Sequence, residues 1–303
     1  MTDPTNCEAL MIVITAPTGN IGRPLLAQLM ASDEQLRVIL RDPARLPDAV
    51  HERVEVITGS HGDAHILDRA FDGADAVFWL VPPDASRPPH DGWTGFTRPA
   101  AKTLVTHGVG HVVGVSALGR GTPVADRAGL VTASLATDDL IAGTGVAYRA
   151  LANPSFFENL LEEADSIRDR GVFTDVLDAD RKAPLVAVAD IAAVAAGLLL
   201  DRSWTGTADV PVLGPQDLSP NDLARIMTQQ LGRSVRYERQ SFDELRTELI
   251  GYGLDEAFAQ GVVDMKRAKD HGLDTGVTRT PKTASPTTFE QWFAQTLAPA
   301  VRA

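Results

Sequence analysis

The sequence is short of several things at once, and each shortage removes a class of protein. It has a single cysteine, Cys7, so no internal disulfide framework can form, and a thiol-reducing cytoplasm is the natural compartment. It is short of positive charge. Lys and Arg number 28 against 40 Asp and Glu, for a formal charge of -12. Such a surface repels phosphate backbones and anionic lipids, which argues against nucleic acid and membrane surfaces as partners and makes any phosphate site a local exception. Long apolar runs are missing too. The longest, Ile191 to Leu200, is about half a membrane span and reads as a buried helix. The start, Met1 to Leu10, carries Asp3 and Glu8 and no basic region, so no targeting segment is expected there. What is present is ordinary for a globular chain: 303 residues, 44% hydrophobic and 22% charged, enough for one large domain or one domain with a smaller elaboration.

The first half alternates compact apolar runs with helical patterns. Leu10 to Ile14, Leu36 to Leu40, Val54 to Ile57, Ala76 to Val81, His111 to Val115 and Val146 to Leu151 have the strand character. Between them, Leu25, Leu26, Leu29 and Met30, then Ile66, Leu67, Ala70 and Phe71, recur at helical spacing. Short runs apolar on both faces, separated by helix-sized crossovers, predict a doubly wound parallel α/β sheet. The second half is mostly helical. Val188 to Leu200 reads as a buried helix and Ala208 to Leu213 as a strand, both returning to the core. Helix starts are marked by Ser219-Pro220, by Ser241 with Glu244, and by Thr287 with Glu290. Gly272 to Pro286 is a loop rich in Gly, Thr and Pro. The expected division is a nucleotide-binding core over 1–155 and a smaller substrate-covering part over 156–303.

The strongest chemical signal follows the first strand. Ala16-Pro17-Thr18-Gly19-Asn20-Ile21-Gly22 has the spacing of a dinucleotide-binding turn with alanine at its first glycine. Gly19 lets backbone approach a pyrophosphate, Gly22 lets the helix pack on the strand, and the helix N-terminus offers free N–H groups. The second strand then ends in Arg41-Asp42-Pro43-Ala44-Arg45. Arg41 and Arg45 suit the 2′-phosphate of NADP(H). The competing reading makes both arginines surface charges and gives the ribose diol of NAD to Asp42.

With these pieces in place, the chain resembles the NmrA-like group of atypical short-chain dehydrogenases/reductases. The matching segments are MIVITAPTGNIG, VILRDPARL, ADAVFWLVPP, HVVGVSALG, ANPSFFENL, VLGPQDLSPNDLARIMTQQLGRSVRY and TPKTASPTTFEQWF, which together cover essentially the whole chain. The resemblance implies a Rossmann core binding NADP(H), with substrate admitted between that core and the C-terminal part. It implies that Thr18, Gly19, Asn20 and Ile21 line the pyrophosphate and that Arg41 meets the 2′-phosphate. Leu80, Val81 and Pro82 would pass beneath the riboses, Pro154 and Phe156 would flank the nicotinamide, and Phe157 and Asn159 would stand nearer the substrate. The chain departs from the wider family at the proton donor. Its three tyrosines, Tyr148, Tyr237 and Tyr252, have no lysine four residues on. Aligning Asp138–Gly145 with the family's Glu-x-x-Leu-x-x-Ser-Gly pattern places Leu130 and Ser134 where Tyr and Lys would sit, and neither can protonate an alkoxide.

Other residues admit two readings each. Ser116 is either a polar strand end or a hydrogen-bond donor beside the nicotinamide; with Tyr148 it is the remaining candidate for a catalytic hydroxyl. His61, Asp63 and His65 lack the spacing and fourth ligand of a metal site and read as a solvated loop and helix start, so no metal is expected. Trp79, Trp93, Phe156 and Phe157 are either pocket lining or plain core. The expected function is an NADPH-dependent reductase of a quinone-like or conjugated small molecule. The alternatives are a nucleotide-sensing regulator that binds a protein partner without chemistry, or a non-redox enzyme on the same fold. A homodimer is left open.

Overall fold

The computed structural model describes residues 10–303, so Cys7, Asp3 and Glu8 lie outside the described residues. The first half runs β1 (Met11–Thr15), α1 (Gly22–Leu29), β2 (Gln35–Leu40), a one-turn α2 (Asp48–His51), β3 (Val54–Thr58), α3 (Ala64–Phe71), β4 (Ala76–Trp79), α4 (Phe96–Thr106), β5 (His111–Ala117), α5 (Leu130–Ala142) and β6 (Ala147–Asn153). The second half adds β7 (Ser155–Phe156), α6 (Ala164–Arg170), β8 (Val172–Asp175), β9 (Ala183–Val186), α7 (Val188–Leu200), β10 (Thr207–Pro211), β11 (Asp217–Leu218), α8 (Pro220–Leu231), β12 (Arg236–Arg239), α9 (Phe242–Gly251), α10 (Glu256–Asp270), α11 (Phe289–Trp292) and α12 (Ala298–Arg302).

Seven strands form one parallel sheet in the order β10-β6-β5-β4-β1-β2-β3. The order reverses between β1 and β4, which opens a crevice at the carboxyl ends of those strands. Strand alternation sends Ile12 and Ile14 to the face covered by α1 and α7, and Val13 to the face covered by α3 and α4. Both faces are therefore buried, which is why the strands read as unbroken apolar runs. The fold is the expected doubly wound α/β plan. A separate aromatic core, with Phe157, Phe289, Trp292 and Phe293 at its centre, holds the C-terminal helices. Two small sheets, β11-β9-β7 and β12-β8, complete that part.

Several boundaries differ from the sequence reading, each for a local reason. β4 stops at Trp79 because the Leu80 N–H leaves the ladder to donate to Thr15 Oγ1 at 3.0 Å. β10 ends at Pro211 rather than Leu213. Leu213 turns away to the tail loop, donating to the Thr283 carbonyl at 2.8 Å and accepting from the Ser285 N–H at 2.7 Å. The last capping box is displaced by one residue. The N-cap is Thr288, paired reciprocally with Gln291, and not Thr287 with Glu290. Thr287 Oγ1 instead donates to the buried Asp190 on α7 at 2.8 Å, a tertiary contact that outweighs a local pattern. The boxes at Ser219 and Ser241 are present. Among the described residues, no helix is long and apolar enough to cross a membrane.

The displaced cap gives a direct test. Thr288→Ala should lower stability by about 1 kcal/mol, whereas Glu290→Ala should change it by less than about 0.5 kcal/mol, read from urea-denaturation midpoints.

Candidate active site

The turn after β1 is built by one carbonyl. The Ala16 oxygen accepts from the Gly19 N–H at 3.0 Å. The same oxygen stands where a side chain at Gly22 would begin, so only glycine lets α1 start this close to the strand. Ala16 itself has φ +49°, the one non-glycine residue with positive φ among the described residues. An L-residue there costs about 1–2 kcal/mol, a local strain that glycine would not carry. The amides of Asn20 and Ile21 have no partner among the described residues, and they sit at the positive end of α1, where a pyrophosphate would be held. Thr18 and Gly19 are half-buried and Asn20 is exposed. The Ile21 side chain is in the core at 4% exposure, so only its backbone faces outward.

At the end of β2, Arg41 and Arg45 are exposed, and neither forms an ion pair among the described residues. Asp42 is occupied otherwise: its Oδ1 accepts from the Ala44 N–H at 3.1 Å and caps the turn Pro43–Arg45. One oxygen of the carboxylate that the NAD reading needs caps its own turn, while the two guanidiniums have no carboxylate partner among the described residues.

The floor of the crevice, Leu80 to Pro82, is half-buried and held from two sides. Thr15 Oγ1 accepts from the Leu80 N–H, and His61 Nε2 donates to the Leu80 carbonyl at 2.9 Å. His61 is not solvated as its sequence context suggested. It is 8% exposed, edge-on to the rings of Trp79 at 5.3 Å and Phe96 at 5.0 Å. Burial pushes its pKa down to about 4, and the Arg41 charge adds to the effect. The ring is thus neutral at physiological pH, with its Nε2 proton fixed by Leu80. Asp63 is the N-cap of α3, accepting from the His65 N–H at 2.8 Å. Among the described residues, no cluster of three potential metal ligands occurs. Trp79 and Trp93 are core rather than pocket lining, Trp93 stacking on Phe258 of α10.

A polar cluster that the sequence reading missed joins Ser116, near the carboxyl end of β5, to Asp138 on α5 and to Tyr148, near the amino end of β6. Ser116 Oγ donates to Asp138 Oδ2, and the Tyr148 hydroxyl donates to Asp138 Oδ1 at 2.6 Å. Tyr148 is 1% exposed, which removes it as a group that touches substrate. A side chain at Gly114 would collide with its hydroxyl, so the glycine makes room for it. Beside Ser116, Asn153 donates through Nδ2 to the Ser116 and Leu151 carbonyls at 3.1 and 2.8 Å, which leaves its buried Oδ1 without a partner. Because the amide nitrogen must face two carbonyls, rotating the amide cannot satisfy the oxygen. Free turn amides, two unpaired arginines and an orphan acceptor next to Pro154 all fit a nicotinamide dinucleotide laid along this edge.

Beyond Pro154, a cavity of about 370 Å³ opens under the C-terminal helices. Phe156, Phe157 and Asn159 meet there with Leu249, Tyr237 and Lys266. Phe157 contributes little surface: it is 2% exposed and packs on Phe289 and Trp292, so it is chiefly core. The three cations of the wall each face a carboxylate, Lys266 with Asp175 at 2.7 Å, Lys269 with Asp274, and Arg181 with Asp270 at 3.7 Å.

Comparison with known proteins agrees with this geometry. Residues 17–202 match the NAD(P)H-binding family. The chain is 31% identical over 289 residues to the (4-alkanoyl-5-oxo-2,5-dihydrofuran-3-yl)methyl phosphate reductase of Streptomyces griseus, covering 94% of this chain and 97% of that protein. It is 27% identical to the NAD(P)H azoreductase of Xenophilus azovorans, over 84% of this chain and 86% of that one. The structure of the NADPH-dependent quinone oxidoreductase of Escherichia coli complexed with NADPH superimposes with a TM-score of 0.78 at 24% identity, covering 94% of this chain and 99% of that chain. The chain belongs to the NAD(P)H-binding family, within the atypical short-chain dehydrogenase/reductase group that its motifs resemble. It is an NAD(P)H-dependent oxidoreductase, a reductase by its relatives.

His61 supplies a pH test. Its folded pKa of about 4 lies below the ordinary 6.5, so the unfolded chain takes up the proton first. Stability present above pH 6.5 is therefore lost as pH falls toward 4, by up to about 3 kcal/mol from this residue. His61→Gln keeps a donor for Leu80 and cannot titrate in this range. The wild-type-minus-variant difference in unfolding free energy should therefore grow by up to about 3 kcal/mol as pH rises from 4 to 6.5.

Proposed function

We propose that this protein uses NADPH to reduce electron-poor, conjugated small molecules of quinone-like character. The chain divides into a cofactor-binding core over 1–155 and a substrate-covering part over 156–303, with 188–213 returning to the core. The observation that carries the reading is the pairing of a roomy cavity just beyond Pro154 with the lack of a Tyr-Lys pair in the first turns of α5, where Leu130 and Ser134 stand. Bound NADPH supplies the hydride; the chain's own work is to bind, orient and exclude water. The amides of Asn20 and Ile21 hold the pyrophosphate with Thr18 and Gly19, Arg41 and Arg45 hold the 2′-phosphate, and Leu80 to Pro82 form the floor. Pro154 and Phe156 back the nicotinamide, Phe157 and Asn159 bound the acceptor, and the Ser116 hydroxyl stands at the acceptor's oxygen. A conjugated acceptor spreads the negative charge it gains, so it depends less on an acid than a simple ketone does. The names of the relatives point the same way: an oxo- and alkanoyl-substituted dihydrofuran, an azo compound and a quinone.

NADPH oxidation, followed by absorbance against quinones, enones, simple ketones and alcohols, tests the reading. Turnover is expected with quinones and very little with simple ketones. Tight NADPH binding with no turnover of any acceptor would favour a nucleotide sensor instead.

Cofactor choice is tested separately. Arg41→Ala should weaken NADPH by about 1.5–3 kcal/mol, or about ten- to a hundredfold, and leave NADH nearly unchanged. Equal affinities for the two nucleotides, unaltered in the variant, would return the ribose to an NAD-type reading.

A further inference from the structure

We propose that Asp138 is the proton reservoir of this site, delivering a proton to the reduced acceptor through the Ser116 hydroxyl. The inference rests on the reductase reading above, with Ser116 at the acceptor's oxygen.

The cluster has the build of a relay rather than of a simple clamp. Asp138 lies on α5 at 3% exposure, and Ser116 at the carboxyl end of β5 is 6% exposed. Both carboxyl oxygens are engaged, Oδ2 by Ser116 and Oδ1 by Tyr148. A carboxyl group is an expensive way to join a helix to a sheet, since an amide or hydroxyl would make the bonds with no charge to bury. The groups facing it come from four elements. Ser116 is on β5 and Tyr148 on β6; Arg120, from the segment after β5, places Nη2 at 3.5 Å from Oδ2. That guanidinium is shared, with Asp139 on α5 at 2.7 Å and Asp209 on β10 at 3.3 Å. Shared among three carboxylates, that cation gives Asp138 only part of its stabilisation. Burial, the largest effect, raises its pKa to about 6 against the opposing hydrogen bonds from Ser116 and Tyr148, and Asp209 adds repulsion. The Arg120 side chain is 39% exposed and links the buried carboxyl to solvent.

The hydride comes from the C–H bond of the reduced nicotinamide of bound NADPH, which is left as NADP+; it forms a C–H bond at the β-carbon of a conjugated ketone and leaves an enolate oxygen. Protonation of Asp138 reverses its bond to Ser116: the carboxyl O–H donates to Ser116 Oγ and frees the hydroxyl hydrogen for the acceptor. The Ser116 O–H bond then breaks as the enol O–H forms, and the Asp138 O–H bond breaks as the Ser116 hydroxyl is restored. Asp138 is left as a carboxylate, stabilised by Tyr148 and Arg120, and solvent returns its proton. The enol becomes the saturated ketone in water. Asp138 does not touch substrate; it is a positioning and supply residue behind Ser116. An enolate localises charge more than a hydroquinone anion does, so enones should depend on this relay and quinones less.

The test compares Asp138→Asn with wild type on an enone and on a quinone across pH 5 to 8. Wild-type kcat/KM for the enone should fall as pH rises through about 6. In Asp138→Asn the enone rate should drop about 10²–10⁴-fold and lose that limb, the quinone rate should fall less than about tenfold, and NADPH affinity by fluorescence should hold. Equal losses on both acceptors, or a limb that persists in the variant, would overturn the relay and leave the reductase reading intact. So would a wild type that reduces quinones and no enone. A wild type that reduces nothing would sink both. Infrared difference spectra of the NADPH complex read the carboxyl without turnover: a protonated C=O band lost in Asp138→Asn should titrate near pH 6. A band titrating in the ordinary carboxylate range overturns the proposal by itself.

Discussion

Everything at this site depends on how closely α1 can start beside β1. The Ala16 carbonyl occupies the space where a side chain at residue 22 would begin, so glycine there is a steric necessity. That approach aims the unpartnered amides of Asn20 and Ile21 outward and lays Leu25, Leu26 and Leu29 on the sheet against α7. The open start of α1 and one face of the core are consequences of one backbone contact. The strain at Ala16, with its positive φ, sits at this point, as strain often does where a turn is set by its surroundings rather than by its own residue.

From that turn outward, the site is a row of strand ends fixed by buried polar groups. Thr15 and His61 grip the Leu80 peptide from both sides, so the floor of the crevice cannot drift. Asn153 ties the end of β6 to β5 through the Ser116 carbonyl. Such bonds in a low-dielectric interior give the geometry needed to position a cofactor, which does the difficult chemistry.

Two buried titratable groups in this row act with opposite sign. His61 is held neutral, with a folded pKa of about 4 against 6.5 unfolded, and it removes stability as pH falls. Asp138 is held toward its protonated form, about 6 against 3.8, and its stabilisation is present at low pH and lost as pH rises through 6. Between pH 4 and 6 the two largely offset each other. The chain thereby keeps a neutral imidazole against the Leu80 peptide and a buried carboxyl beside Ser116, with little net pH dependence from these two groups in that interval.

By itself the sequence determined the parallel sheet, because strands buried on both faces leave unbroken apolar runs and their crossovers keep helical spacing. It also determined the tight glycine turn after β1 and the positive charge at the end of β2, since glycine spacing and charge at a strand end are local features. Tertiary structure decided the rest. His61 looks like a loop residue until Trp79 and Phe96 close over it. Thr287 looks like a cap until Asp190 claims its hydroxyl. Tyr148 looks like a catalytic candidate until its burial is seen, and Asp138 stands at the acidic position of the family pattern with nothing local to show that Ser116 and Tyr148 will meet it. These roles come from partners 10 to 97 residues away in the chain. No local pattern encodes which of several polar groups will be drawn together when the water between them is removed.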